Sequence, residues 1–106
     1  MKLNPDCTRA ILMAVEDTCD YNHMFRYSCH NNLNEKFSSD EIKYHARQCD
    51  LAGFFYKYSD EIDDDWSVID LSPKGHEFLA NIRSDTVWNN VKDISTKVGG
   101  QSPCLP

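Results

Sequence analysis

Four groups of side chains in this sequence carry recognisable chemistry. Cys29 and His30 are adjacent, and His45 and Cys49 stand four apart, where one helical face would present both. Together they hold the thiolate and imidazole donors of a tetrahedral zinc site. No C-x-x-C pair accompanies them, and His45 and Cys49 equally fit the apolar stripe of their helix. Asp60, Asp63, Asp64 and Asp65 supply hard oxygens of the kind calcium takes, but the alternating ligands, central Gly and terminal Glu of a calcium loop are not present in order. His76-Glu77 matches the opening of a zinc-protease helix, yet Ala80 stands where the second His belongs. No nucleophile elbow, phosphate loop or dinucleotide fingerprint occurs. No catalytic residue, metal or cofactor is therefore assigned, and a non-enzymatic protein is expected.

Two further groups suit binding. Asp60-Glu61-Ile62-Asp63-Asp64-Asp65 carries five carboxylates in six residues and is followed by Trp66. Such a stretch repels the phosphates of a duplex. It could dock on a protein with a basic surface, with Asp60, Glu61, Asp63, Asp64 and Asp65 as the charged rim and Trp66 as apolar anchor. A solvated hairpin loop is the plainer alternative. Lys43, Tyr44, Arg47 and Gln48 form the outward side of a helix. Arg and Gln can read guanine and adenine edges in a major groove. Asp40, Glu41 and Asp50 share that helix and oppose DNA, and a mixed solvated face stands as the alternative.

Local signals define the elements that must position these groups. Asn4-Pro5-Asp6 starts a helix by cap, first-turn proline and dipole complement. Cys7, Ile11, Leu12 and Val15 then recur at helical spacing, which predicts a helix over Pro5 to Thr18. A short strand is expected near Met24 to Ser28, and one or two helical turns over Leu33 to Phe37. Ser38 and Glu41 have capping-box spacing. Ile42, His45, Ala46 and Cys49 give the next helix, Ser39 to Ala52, one buried face, and Gly53 suits the left-handed position after it. Phe54 to Tyr58 and Trp66 to Leu71 read as a hairpin around a polar connection, Ser59 to Asp65. On the second strand Trp66, Val68 and Asp70 are expected on one side, with Ser67, Ile69 and Leu71 on the other. Ser72-Pro73 begins a helix whose buried face is Gly75, Phe78, Leu79 and Ile82. His76 is expected to pack at the base of the hairpin. A last helix from Ser84-Asp85 carries Val87, Val91, Ile94 and Val98, stops at Gly99-Gly100, and leaves a loose tail over 101–106. Its Trp88 would cap the core or pair two copies, so a homodimer is left open.

Length and charge bound the function. The chain has 106 residues, 17 acidic against 11 basic, and a formal net charge of -6. That is one domain, here taken as residues 1–100. The acidic balance argues against broad nucleic-acid binding. No apolar run is long enough to span a bilayer, and Met1 to Asp6 does not lead into a secretory apolar segment. A soluble, cytoplasmic protein is expected. The cysteine count of five is odd, and Cys7 and Cys19 on one helix would lie ~18 Å apart, so no disulfide framework is expected.

The order helix, short strand, short helix, longer helix, hairpin and further helices is that of a winged helix-turn-helix, mainly α with a small antiparallel β-hairpin, with a plain α+β domain of another topology as the alternative. In that arrangement Ser39 to Ala52 is the recognition helix and the hairpin is the wing. The segments Met-Lys-Leu-Asn-Pro-Asp-Cys at the start, Ser39 to His45, Ala52 to Phe54, Asp70 to Leu79 and Ile82 to Trp88 resemble a family of small bacterial and phage proteins known only as a domain of unknown function. The resemblance runs almost to Gly99, and Gly-His-Glu-Phe-Leu is its most specific block. It implies a winged-helix fold and a phage or prophage setting, but no activity. Family members often continue past the Val-Gly pair with another helical segment, whereas this sequence ends at Pro106. Charge and setting together suggest a protein that blocks a nucleic-acid-binding defence enzyme of the host, such as a CRISPR nuclease. The alternative is a transcription regulator reading DNA with Lys43, Tyr44, Arg47 and Gln48, two copies occupying successive grooves, and a third reading is a redox or metal sensor built on the surplus cysteines.

Overall fold

The structure, a computed structural model, describes residues 1–29, 31–63, 65–84 and 88–89. Within these residues it is α+β: helices α1 (Pro5–Thr18), α2 (Ser39–Leu51) and α3 (Pro73–Ile82), and strands β1 (Phe25–Arg26), β2 (Phe55–Asp60) and β3 (Trp66–Leu71). The strands form one antiparallel sheet in the order β1-β3-β2. Two 3-10 turns, Tyr27–Cys29 and Asn31–Glu35, lie between β1 and α2.

Local chemistry accounts for the helix ends. Asn4 caps α1 through its side-chain oxygen, which accepts from the Asp6 N–H at 3.1 Å, and Pro5 takes the first helical position. Ser38 caps α2 by accepting from the Glu41 N–H. The expected capping box is only half made, because the Glu41 carboxylate accepts from the Asn4 amide at 3.2 Å and so ties the starts of α1 and α2 together. α2 ends in a Schellman turn: the Phe54 N–H reaches the Cys49 carbonyl, the Gly53 N–H reaches that of Asp50, and Gly53 has φ +83°. Ser72 caps α3 by accepting from the Gly75 N–H.

The buried faces follow the expected stripes except at Phe78 of α3, which is only partly buried. Cys7, Ile11, Leu12 and Val15 of α1, Ile42, His45, Ala46 and Cys49 of α2, and Gly75, Leu79 and Ile82 of α3 are all buried. α1 packs against α2, α3 and β3, which makes it the central helix of the core. His45 lies wholly inside this core. Its Nε2 accepts from the Asn4 N–H at 2.7 Å, and its Nδ1 lies 2.7 Å from the Glu41 carbonyl. A backbone N–H needs a lone pair and a carbonyl needs a proton, so the ring is neutral with hydrogen on Nδ1.

The sheet departs from the expected pattern in three places. β1 is two residues long and runs straight into the 3-10 turn Tyr27–Cys29, where the Ser28 N–H donates to the Asp65 carboxylate at 2.9 Å. β2 begins at Phe55 rather than Phe54, whose backbone is already bonded to Cys49 and Ser72 and whose ring stacks on Phe78 at 4.6 Å. β2 then runs on to Asp60, paired with Trp66, so the connection between the strands is shorter than Ser59 to Asp65.

The third departure concerns the two faces of the hairpin. Lys57 has φ +57° in mid-strand, between the pairs Tyr56↔Asp70 and Tyr58↔Val68, and the register is the same on either side of it. The kink rotates the strand without inserting a residue. Phe55 and Tyr58, three apart, therefore both face Trp66, with ring centroids at 6.1 and 5.9 Å. On β3 the expected alternation breaks as well, since Trp66, Ser67, Val68 and Leu71 are buried and Ile69 is exposed.

The expected helical turns at Leu33 to Phe37 occur as the 3-10 turn Asn31–Glu35, with Leu33 buried. The expected last helix falls almost wholly outside the described residues. Trp88 is described: it is 6% exposed, its indole N–H donates to Asp6 at 2.8 Å, and the Arg9 guanidinium lies 5.9 Å over its ring. The indole is therefore buried within its own chain. No helix among the described residues is long and apolar enough to cross a membrane.

Candidate functional site

The hairpin and α2 meet on one side of the molecule. The six-residue acidic stretch sits where expected, between and at the ends of β2 and β3, but its carboxylates are not equivalent. Asp60 is half-exposed, accepts from the Tyr58 hydroxyl at 2.5 Å and pairs with Arg47 of α2 at 3.5 Å. Glu61 accepts from the Ser67 hydroxyl at 3.0 Å. Asp63, with φ +61°, and Ile62, 83% exposed, form the turn. Asp64 lies outside the described residues.

Asp65 has a structural role. Its carboxylate accepts from the backbone N–H groups of Ser28 and Trp66, each at 2.9 Å, and pairs with Arg26 at 3.4 Å. Burial raises this carboxyl, but hydrogen bonds from Ser28, Trp66 and Arg26 outweigh that and hold it below its ordinary range. It joins β1 and the following 3-10 turn to the start of β3. As part of a recognition rim it is largely spent.

Trp66 is corrected outright. It is not a surface anchor: its side chain is wholly buried, packed among Phe25, Tyr27, Phe55 and Tyr58. Among the described residues the indole N–H has no hydrogen-bond partner. The physical reason is the aromatic cluster around it: β1 and the turn after it bring Phe25 and Tyr27 to the ring, and β2 brings Phe55 and Tyr58. The apolar group that does project beside the carboxylates is Ile62. The sequence already marks it as the one apolar residue in the acidic stretch.

The second candidate group is also redistributed. Of Lys43, Tyr44, Arg47 and Gln48, only Arg47 is exposed, with about half of its side chain accessible, and it faces Asp60. Tyr44 is half-buried with its ring edge-on to His45. Lys43 is half-buried, and Gln48 lines a small groove with Leu3, Thr8, Cys49, Ala52 and Phe54. The exposed positions of α2 also include Asp40, Asp50 and Leu51. The Tyr58 hydroxyl sits in this acidic setting: burial pushes its pKa up first, and the hydrogen-bonded Asp60 adds to that.

The metal candidates meet plain obstacles. Both ring nitrogens of His45 are engaged by backbone groups, and His30 lies outside the described residues. Among the described residues no three His, Cys, Asp or Glu side chains come together in a metal-binding group. Cys7, Cys19, Cys29 and Cys49 are free thiols. Burial pushes the Cys7 and Cys49 thiols up to about 12, with Glu41 adding to the first and Cys7 to the second. His76 is half-exposed rather than packed in. It lies 3.7 Å from Glu16 of α1 and 3.9 Å from Asp70 of β3, and Arg83 pairs with the same Glu16.

Gly75, within the block that carries the resemblance, has a direct structural reason. A Cβ placed there would lie 2.2 Å from the Phe54 carbonyl oxygen. Only glycine lets α3 cross the start of β2 this closely.

Similarity extends over 94 residues to an uncharacterized protein of Haemophilus influenzae, 33% identical, covering 87% of this chain and 76% of the relative. No solved structure matches. The sequence pattern of the hypothetical proteins designated DUF2513, a domain of unknown function, matches residues 2–102, and the chain belongs to that family.

Proposed function

We propose that this protein is a non-enzymatic winged helix-turn-helix domain that binds a protein with a basic surface through the face shared by its acidic hairpin and α2. The element order, with a short first strand at one edge of a three-stranded sheet and a hairpin directly after α2, supports the winged-helix reading. The single observation that carries the functional reading is the Arg47–Asp60 ion pair. It occupies the more exposed of the two cations of the would-be recognition helix with a carboxylate of the wing. Asp50, Asp60 and Asp63 are exposed beside it. A duplex approaching this face meets carboxylates, whereas Lys and Arg of a protein partner find acceptors and an apolar contact at Ile62. A nucleic-acid-binding host enzyme, such as a CRISPR nuclease met in a phage setting, has the required basic surface.

The test is affinity capture from host extract after nuclease digestion, with the native chain and with a variant carrying Asp60→Asn, Glu61→Gln and Asp63→Asn. A defined protein held by the native chain, released by salt and at least tenfold weaker with the variant is the expected result. Equal retention by both chains overturns the mechanism. Duplex DNA bound at low salt and lost on Arg47→Ala would return the site to DNA.

A further inference from the structure

Asn4 is the joint between α1 and α2. On the α1 side its side-chain oxygen accepts from the Asp6 N–H, and its carbonyl accepts from the N–H groups of Cys7 and Thr8 at 3.0 and 3.2 Å. Toward α2 it makes two bonds: its N–H donates to Nε2 of His45 at 2.7 Å, and its side-chain amide donates to the Glu41 carboxylate at 3.2 Å. The first of these depends on the charge of an imidazole. His45 is wholly buried, and its Nδ1 already donates to the Glu41 carbonyl at 2.7 Å. A second proton has only Nε2 to enter, and there it would point at the Asn4 N–H, donor against donor.

The groups around the ring decide where an imidazolium would turn. On α2, Glu41 and Cys49 stand one turn to either side of His45, and Tyr44 meets it edge-on. From α1 comes Cys7, whose thiol shares the Glu41 carbonyl at 3.9 Å. Burial keeps the Cys7 and Cys49 thiols protonated, so neither offers a counter-charge. Asp6 is bonded to Trp88, Asp60 of β2 faces Arg47, and Glu35 of the second 3-10 turn is exposed. The Glu41 carboxylate is the anion at hand, and it is the group that holds the Asn4 amide. A charged His45 therefore rejects one bond of Asn4 and competes for the other.

Leu3, directly before Asn4, forms one wall of a groove of about 200 Å³ with Thr8, Gln48, Cys49, Ala52 and Phe54. Cys49 is only 2% exposed there. We propose that His45 is a proton-operated latch: a proton on Nε2 releases Asn4 from α2, lets residues 1–4 swing away and opens the groove over Cys49, while the rest of the core stays folded. The latch is separate from the acidic face and does not rest on the function proposed for it.

Long-range proton–nitrogen NMR spectra of the full chain, taken from pH 7.5 to pH 4.5, read the ring nitrogens of His45 directly. At pH 7.5 Nε2 should be the bare nitrogen. On acidification it should gain a proton while the Trp66 indole signal keeps its folded position, and the Asn4 amide signal should lose its hydrogen-bonded shift over the same range. A ring that stays neutral until the Trp66 signal itself collapses overturns the proposal. So does protonation that leaves the Asn4 amide unmoved. Labelling of Cys49 by dithiodipyridine, a disulfide that reacts with thiols even at acid pH, gives a second readout. His45→Gln keeps an acceptor and a donor but takes no proton. The ratio of labelling rates, native over variant, should rise at least tenfold from pH 7.5 to pH 4.5, and a constant ratio counts against the latch. If the variant fails to fold, the spectra of the native chain decide.

Discussion

Asp65 and the cysteines show how far a residue's type can be from its role. In sequence Asp65 is one of five acids. In the structure it is the joint between β1, the first 3-10 turn and β3. Because its folded-state pKa is depressed, its contribution is present above the unfolded carboxylate value, about 3.9, and is lost as pH falls through the lower folded value. Urea midpoints measured from pH 7 to pH 2 should fall at the acid end, and Asp65→Asn should flatten that part of the curve. An unchanged acid limb would refute the assignment. At pH 7 the same variant should cost about 2 kcal/mol, the scale of lost hydrogen bonds to a charged group. The thiols divide by environment in the same way. At neutral pH an alkylating reagent should label exposed Cys29 first. Cys7 and Cys49, buried with pKa values near 12, should resist until the chain unfolds. Peptide mapping of partly labelled protein would show this order.

At the level of elements, caps and stripes made the helices readable and the sheet only partly so. α1 runs over the expected residues because cap, proline and apolar spacing are all local. α2 and α3 follow for the same reason. The strands were harder, since two-residue β1 exists only through its pairing with Ser67 and Val68. The kink at Lys57 has no local signal, and a lysine in the left-handed region is disfavoured by about 1–2 kcal/mol. The stack of Phe55 and Tyr58 on Trp66 compensates for it. Element packing also gives the sharpest mutational test. Gly75→Ala should destabilise by about 3 kcal/mol, because the obstacle is the Phe54 backbone and not a side chain that can turn away. A loss under about 0.5 kcal/mol in chemical unfolding would show that α3 can shift freely on β2.

Across the whole molecule, contacts distant in sequence decide which surfaces exist. The Asn4 N–H to His45 bond joins residues 41 apart and fixes the start of α1 on α2. His45→Phe keeps an aromatic ring but leaves the Asn4 N–H without its acceptor, and should cost about 2 kcal/mol. His45→Gln, which retains an acceptor and a donor, should recover part of that in the same unfolding assay. The candidate site has the same origin. Its charged residues were legible as a run of acids and a helix carrying Lys43, Tyr44, Arg47 and Gln48. That Arg47 meets Asp60, that Trp66 turns inward and that Ile62 turns outward were not legible, because each depends on register and packing between segments far apart in the chain. By itself, then, the sequence determined α1, α2 and α3, their caps, most of their buried stripes and the family, all of which rest on short-range spacing. Only the tertiary structure decided which acids are structural and which are presented. A carboxylate's role depends on the N–H groups and cations brought to it, and the fold alone brings them.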